Sequence, residues 1–255
     1  MSDRITEDLV ERVVAFIDLL GFTELVTTAC DGDSLALLQV RSALGWMWTQ
    51  QMTTNEGPFG ARELTPNARA TAFSDSIVIS DLNRSGEVQS LLRSVSCLAG
   101  MLLRQGILCR GGIATGVTVH NDHVLFGTGL IRAYNLERNA VYPRIVLQDD
   151  LVQYATGPFS PRLKRDSDGL WFIDVFGALR QPKDGWQSVM SGSLAAGLVT
   201  IADATALVGV REFLIRALER HRHELRKHLK YRWLSNQFNE AVAIDVPEQI
   251  VPISF

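Results

Sequence analysis

The run "VVAFIDLL", residues 13–20, is apolar throughout except for one acid, Asp18. Its β-branched content and lack of alternation predict a central strand covered on both faces. Gly21 ends the run, and "FTELVTTA" predicts a helix with Thr23 near its N-terminus. A second helix is predicted over "DSLALLQVRSALGWMWTQQM", where Leu35, Leu38, Ala43 and Trp46 recur at helical spacing. "TTNEGPFGARELTPN" reads as a loop from its Gly, Pro and Asn content. In "ARATAFSDSIVISD" two alternating runs flank Ser74, Asp75 and Ser76, which predicts a hairpin with an acid at its tip.

"EVQSLLRSVSCLAGMLLRQG" has the pattern of an amphipathic helix closed by Gly106, and "ILCRGGIATGVTV" that of a strand with a double glycine inside it. Glycines within a strand mark a bulge or a close approach by another group. "GTGLIRAYNLERNA" predicts a helix, "PRIVL" a short strand and "GLWFIDVFG" a further strand, and the chain from Ser191 onward reads as mostly helical. The order is strand, two helices, hairpin, helix, strand pair, helix, strand, then appended helices. That order predicts an α+β sandwich of the ferredoxin-like kind, an antiparallel-rich sheet with helices packed on it. The expected division is a first domain over 10–185 and a mainly helical extension over 186–255.

Composition narrows the picture. With 255 residues, 46% of them apolar, the chain can bury a full core without staples. A formal charge of −3 gives no global pull toward nucleic acid or an anionic membrane, so neither is expected as a stable partner. Cys30, Cys97 and Cys109 are odd in number and lack CxxC spacing, which fits reduced thiols in a cytoplasmic protein. The N-terminal apolar run breaks at Asp18, far short of the roughly 18 residues that a membrane span needs. "RHRHELRKHLKYR" (220–232) spreads its charges around a helix, with Leu225 and Leu229 expected on the packed stripe. His221 and His223 share no helical face, and Trp46 and Trp48 are candidates for core, dimer contact or base stacking.

A carboxylate buried without a partner costs several kcal/mol, so Asp18 calls for an explanation. The predicted fold sets the hairpin tip of Asp75 beside the end of the Asp18 strand. Two carboxylates meeting there could hold two divalent cations, Mn²⁺ or Mg²⁺, which favour oxygen ligands and clamp a triphosphate. The "LGFT" turn adds backbone N–H groups at a helix start, where phosphate oxygens can bind. Against this stands a plainer account, in which Asp18 caps a helix or pairs with an arginine and Asp75 serves its turn.

"AFIDLLGFTELV", "FSDSIVIS" and "RGGIATGV" resemble three successive motifs of the class III nucleotide cyclase catalytic domain, and "DLLGF" and "AYNLE" most resemble the bacterial Pycsar pyrimidine cyclases. The similarity runs from about Val13 to Leu147. It implies that Asp18 and Asp75 are catalytic metal ligands, with the Leu19 carbonyl as a third ligand and Phe22 and Thr23 at the triphosphate. It further implies a head-to-tail homodimer with shared sites, and a cyclic nucleotide product that acts on a separate effector in defence against phage.

Departures from the family pattern point to the base. Thr71 stands where adenylate cyclases carry a purine-reading lysine, and Val124 where they carry a second purine reader. Ile131 and Asn135 replace the ribose-orienting asparagine and the transition-state arginine. Arg132 and Arg138 lie at −3 and +3 from Asn135, and Arg132 is the candidate for the missing catalytic charge. Arg110 reads as an ion-pair partner or a substrate contact. The expected activity is conversion of UTP to 3',5'-cyclic UMP and pyrophosphate. The alternatives are a cytidylate cyclase acting on CTP and a degenerate domain that only binds nucleotide or a partner.

Overall fold

The computed structural model describes residues 9–52, 67–156, 160–177, 204–243 and 247–253, with backbone alone for 46–52 and 204–206. The apolar run forms β1 (Val10–Leu20), and Gly21, at φ 76°, turns the chain into α1 (Phe22–Cys30). Next come α2 (Ser34–Met52), the hairpin of β2 (Arg69–Phe73) and β3 (Ser76–Leu82), α3 (Ser85–Arg104) and β4 (Leu108–His120). β5 (Leu125–Gly127), α4 (Thr128–Asn139), β6 (Ile145–Leu147), β7 (Leu163–Arg165) and β8 (Trp171–Ile173) complete the sheet region. α5 (Ala204–Arg220) and α6 (Leu225–Val242) follow.

The architecture is the expected α+β one, an open sheet with helices packed on it. The strand order is β2-β3-β1-β4-β6-β8-β7, with β5 pairing beside β4. β4 and β6 run parallel, and the other pairings among the described residues are antiparallel. β1 lies between β3 and β4, so both its edges are hydrogen-bonded, and its odd and even side chains enter two different cores. Val13, Ala15, Ile17 and Leu19 join Ile77 and Ile79 under Val88, Leu91, Leu92 and Val95 of α3. Val14 and Phe16 face Ala133, Leu130 and Leu136 of α4, together with Val78 and Ala114.

The double glycine marks a close approach. A Cβ at Gly112 would sit 2.2 Å from the carbonyl oxygen of Ala133 and 2.6 Å from Leu136 Cβ, so only glycine lets α4 lie this close to β4. One turn of α4 is thereby brought down onto the strand that pairs with Asp18.

Some expectations fail on tertiary grounds. Leu35 and Leu38 are 66% and 64% exposed, because α2 turns its smaller stripe of Ala36, Val40, Ala43 and Leu44 to the core. The 220–232 stretch is not one helix, since a turn at His221–Glu224 divides it, and Leu225 and Leu229 are exposed. α6 packs instead through Leu234, Phe238, Ala241 and Val242. β7 had no strand signal in the sequence. The expected 53–67 loop apart from Asn67, the side chains of Trp46 and Trp48, residues 191–203 and the 185/186 boundary fall outside the described residues.

The C-terminal helices close one end of the sheet. Val210 and Leu214 of α5 and Leu234 and Phe238 of α6 form one cluster with Leu103, Leu108 and Phe176, and Leu20 packs against it. Leu20 pairs with Leu108 across β1 and β4, so α6 arrives at the end of β1 that carries Asp18. No helix among the described residues is long and apolar enough to cross a membrane. Cys30, Cys97 and Cys109 are free thiols, and burial, with Asp18 nearby, pushes Cys109 up to about 12.

Candidate active site

Asp18 and Asp75 come together. Asp18 is opposite Ser76 in the β1/β3 register, and the Leu19 N–H donates to the Asp75 carbonyl oxygen at 2.8 Å. The two-residue turn of Ser74 and Asp75 joins Phe73 to Ser76, with Ser74 at φ 55°. Asp75 therefore belongs to the hairpin through its backbone, and its carboxylate takes no hydrogen bond or ion pair among the described residues.

Both accounts of Asp18 find support in its surroundings. On β4 its cross-strand neighbour is Arg110, whose Nη2 lies 3.6 Å from Asp18 Oδ2. Arg110 is claimed more closely by Glu137 of α4, since its Nε donates to Glu137 Oε1 at 2.5 Å and its Nη2 bonds the same oxygen. Burial pushes the Asp18 carboxyl above its ordinary range, Glu137 and Asp75 push the same way, and Arg110 and Lys230 oppose them. Among the described residues, three carboxylates thus meet two cations at this end of the sheet.

Glu137 and Lys230 are functional candidates that the sequence reading missed. Glu137 is the acid of "AYNLE" and lies on the stripe of Ala133 and Ala140, a buried acid on an apolar helical face. That periodicity was the available signal. Lys230 had none, because only the packing of α6 brings it to the end of β1. Its ammonium is held below the usual range by burial and by Arg110, against the pull of Asp18 and Glu137.

The remaining predicted residues divide. Thr23 is exposed in the first turn of α1, where no side chain caps the helix and the first N–H groups lack intrahelical partners. Phe22 is a core residue, 5% exposed, so it can offer phosphate its N–H but not its ring. Arg132 does not join the carboxylates within one chain. Its Nη1 donates to the Thr115 carbonyl at 2.9 Å, and Thr115 is five residues, roughly 17 Å, along β4 from Arg110. Asn135 is exposed on α4, and Arg138 lies over the Tyr134 ring at 5.8 Å. Ile131 and Val124 are exposed as well.

Thr71 is exposed on the same face as Asp18. The registers align Thr71 with Val78 and Phe16, and Phe73 with Ser76 and Asp18, in adjacent rows. Phe73 is 82% exposed there. Thr71 also meets His120, a buried histidine at the end of β4, with 2.9 Å between Oγ1 and Nε2. Ser80 Oγ is 2.8 Å from His120 Nδ1, and Arg12 Nε donates to Ser80 Oγ at 2.9 Å.

Burial first, then Arg12 and Arg69, lower the His120 pKa from 6.5 to about 4, while Asp122 acts in the other direction. The unfolded chain therefore binds one more proton between these values. Stability from this group is complete above pH 6.5 and falls as the pH drops toward 4, by on the order of 3 kcal/mol. Denaturant unfolding of wild type and His120→Asn across this range should show the smaller loss in the variant.

Compared with known protein families the chain matches none, and no curated protein matches it. Several solved structures resemble it. The catalytic core of a rhodopsin-guanylyl cyclase with converted specificity, in complex with ATPalphaS, has 13% identity and a TM-score of 0.44, covering 65% of this chain and 96% of that one. The guanylyl cyclase domain of the RhoGC fusion protein from the aquatic fungus Blastocladiella emersonii, as a double mutant, has 12% identity and a TM-score of 0.44, covering 65% and 95%. A class III adenylyl cyclase-like ATP-binding protein from Pseudomonas aeruginosa has 11% identity and a TM-score of 0.39, covering 57% of this chain and 34% of that one. The structural neighbours are thus class III nucleotide cyclase domains.

Proposed function

We propose that the chain is a nucleotidyl cyclase that converts a pyrimidine nucleoside triphosphate, UTP, into its 3',5'-cyclic monophosphate. The observation that carries this reading is the juxtaposition of Asp18 with Asp75, whose carboxylate takes no hydrogen bond or ion pair among the described residues. The reaction joins the ribose O3' to the α-phosphorus, breaks the bond from that phosphorus to the bridging oxygen, and releases pyrophosphate and the hydroxyl proton. The Asp18 and Asp75 carboxylates and the Leu19 carbonyl offer an all-oxygen donor set, which suits hard divalent cations. No group of three or more His, Cys, Asp or Glu side chains placed to hold a metal ion exists among the described residues, so the protein's own donors would leave room for phosphate oxygens of the substrate. Mn²⁺ or Mg²⁺ there would neutralise the triphosphate and favour loss of the hydroxyl proton.

The chain's own groups do the positioning. The N–H groups at the start of α1 receive phosphate oxygens. Arg110 and Lys230 bring positive charge to the same end, and Glu137 holds the Arg110 guanidinium in place. Arg132 is too far along β4 to serve its own chain's carboxylates, which supports a site completed by a second copy. Exposed Ile131 and Tyr134 on α4 and Phe126 on β5 offer apolar surface for that copy. By its resemblance to the Pycsar cyclases, the protein acts in the cytoplasm as a signal generator in antiphage defence, and its product acts on a separate effector.

Incubation of the pure chain with UTP, CTP, ATP and GTP in turn, each with Mn²⁺, should yield cyclic UMP and pyrophosphate, identified by mass. No cyclic product from any of the four would overturn the enzyme reading and favour a degenerate binding domain.

A further inference from the structure

We infer that the cleft between α1, α2 and the C-terminal helices is a binding site for a small amphipathic amine, an ammonium group carried on an apolar or aromatic body. The cleft encloses about 390 Å³, a volume within the range of small-molecule sites. It lies apart from the proposed catalytic carboxylates, since none of Asp18, Asp75, Arg110 and Glu137 lines it, and its occupancy does not depend on the cyclase reading.

The polar wall of the cleft has acceptors left over. His221, at the turn between α5 and α6, is only 8% exposed. Its ring lies parallel to that of Tyr231, with 5.3 Å between centroids, and its Nδ1 is 2.8 Å from Glu224 Oε1. Hydrogen bonds from Lys227 and His221 hold the Glu224 carboxyl down at about 2, so at pH 7 it can only accept, and Nδ1 carries the hydrogen. In the neutral imidazole Nε2 is then an acceptor, and it takes no hydrogen bond among the described residues. A ring edge this enclosed calls for a donor. On α2, Gln39 donates its Nε2 to the Gln105 carbonyl at 2.6 Å, which leaves its side-chain oxygen over. Asp33 caps the same helix through Oδ1, which accepts from the Ala36 N–H at 2.8 Å, and its Oδ2 is left over in turn.

Charge selects the same ligand. The charged side chains lining the cleft besides His221 are Glu24, Asp33 and Arg220, and Arg220 Nη2 lies 3.0 Å from Glu24 Oε1. That pair satisfies itself, and Asp33 is left in excess. A carboxylate or phosphate would find one guanidinium already paired, whereas an ammonium finds acceptors on α2 and at the α5–α6 turn. Leu25, Ile107 and Phe213 make the wall apolar between these groups, so a ligand with an apolar body is covered as well as anchored. Phe213 and Tyr231, whose rings meet at 73° with 5.9 Å between centroids, give that wall aromatic surface, which also attracts a cation.

Calorimetry on the full chain at pH 7 tests this with three ligands of one skeleton, tryptamine, tryptophol and indole-3-propionate, which end in an ammonium, a hydroxyl and a carboxylate. Tryptamine should bind about tenfold more tightly than tryptophol, and indole-3-propionate should not bind. Asp33→Asn keeps the α2 cap, because asparagine caps a helix as well as aspartate does, and removes only the charge. It should weaken tryptamine about tenfold and leave tryptophol unchanged, with the melting temperature held. No binding of tryptamine at millimolar concentration, equal binding of all three ligands, or tighter binding of the propionate would overturn the proposal. So would an Asp33→Asn variant that binds tryptamine as wild type does, or that loses tryptamine and tryptophol alike.

Discussion

Asp75→Asn is expected to reduce cyclic nucleotide formation on the order of a thousandfold, with the melting temperature essentially unchanged. The separation of the two effects follows from how Asp75 is used. Its carbonyl accepts from Leu19 N–H, which locks the hairpin tip to β1, and asparagine preserves that bond. Its carboxylate has no hydrogen-bond or ion-pair partner among the described residues, so its removal costs no ion pair there, and it relieves the repulsion that Asp75 exerts on Asp18. What asparagine cannot supply is the second negative charge. A thousandfold loss corresponds to about 4 kcal/mol of transition-state stabilisation. The assay is initial-rate product formation with thermal unfolding measured in parallel. Retained turnover would reject a catalytic role for the Asp75 carboxylate.

Arg144→Met is expected to do the reverse, lowering stability by about 3 kcal/mol, or roughly 10 °C in melting temperature for a chain of this size. The Arg144 side chain is fully buried. Its Nη1 donates to Asp166 Oδ2 at 2.5 Å, and its Nη2 pairs with Asp168. Its guanidinium carbon lies 5.6 Å, 5.8 Å and 5.9 Å from the ring centres of Tyr142, Phe172 and Trp233. Trp233 belongs to α6, and its Nε1 donates to the same Asp166 oxygen at 2.9 Å, so one cation ties the C-terminal helix to the sheet. Methionine would leave Asp166, only 14% exposed at its side chain, with no cation, its Oδ2 held by the indole N–H and its Oδ1 by the Ser167 N–H. Asp168 is more open, and water would screen the loss of its partner, which keeps the estimate at the lower end for a broken buried pair. A melting temperature within 2 °C of wild type would show that the cluster contributes little, since roughly 2–4 °C corresponds to 1 kcal/mol.

The contrast between these residues shows what the sequence made legible. Asp18 and Asp75 could be found because local signals announce them, an acid inside an apolar run and an acid between two alternating runs. β1, the hairpin and α3 follow from the same kind of short-range pattern. Arg144 sits in the ordinary-looking string "YPRIVL", and its meaning depends on Asp166, Asp168 and Trp233 far along the chain. The His120 relay is hidden in the same way, since Thr71 and Ser80 are 49 and 40 residues away from it. The exposed leucines of α2 make the converse point. Helical spacing identifies a possible apolar stripe, but the stripe of Ala36, Val40, Ala43 and Leu44 is the one that faces the core, and no local pattern decides between two such faces. Lys230 depends on both kinds of information, the break at His221–Glu224 and the packing of α6.

If Asp18 and Asp75 form the metal site of a phosphoryl-transfer centre, the pair should take up Mn²⁺. Loss of the free Mn²⁺ resonance signal would be followed as the ion is titrated into the full chain with the α,β-methylene analogue of UTP, for wild type and for Asp18→Asn/Asp75→Asn. Uptake of about two ions per site is expected for wild type and none for the double variant. Equal uptake by the two proteins, in excess of what the nucleotide binds alone, would contradict a metal site there.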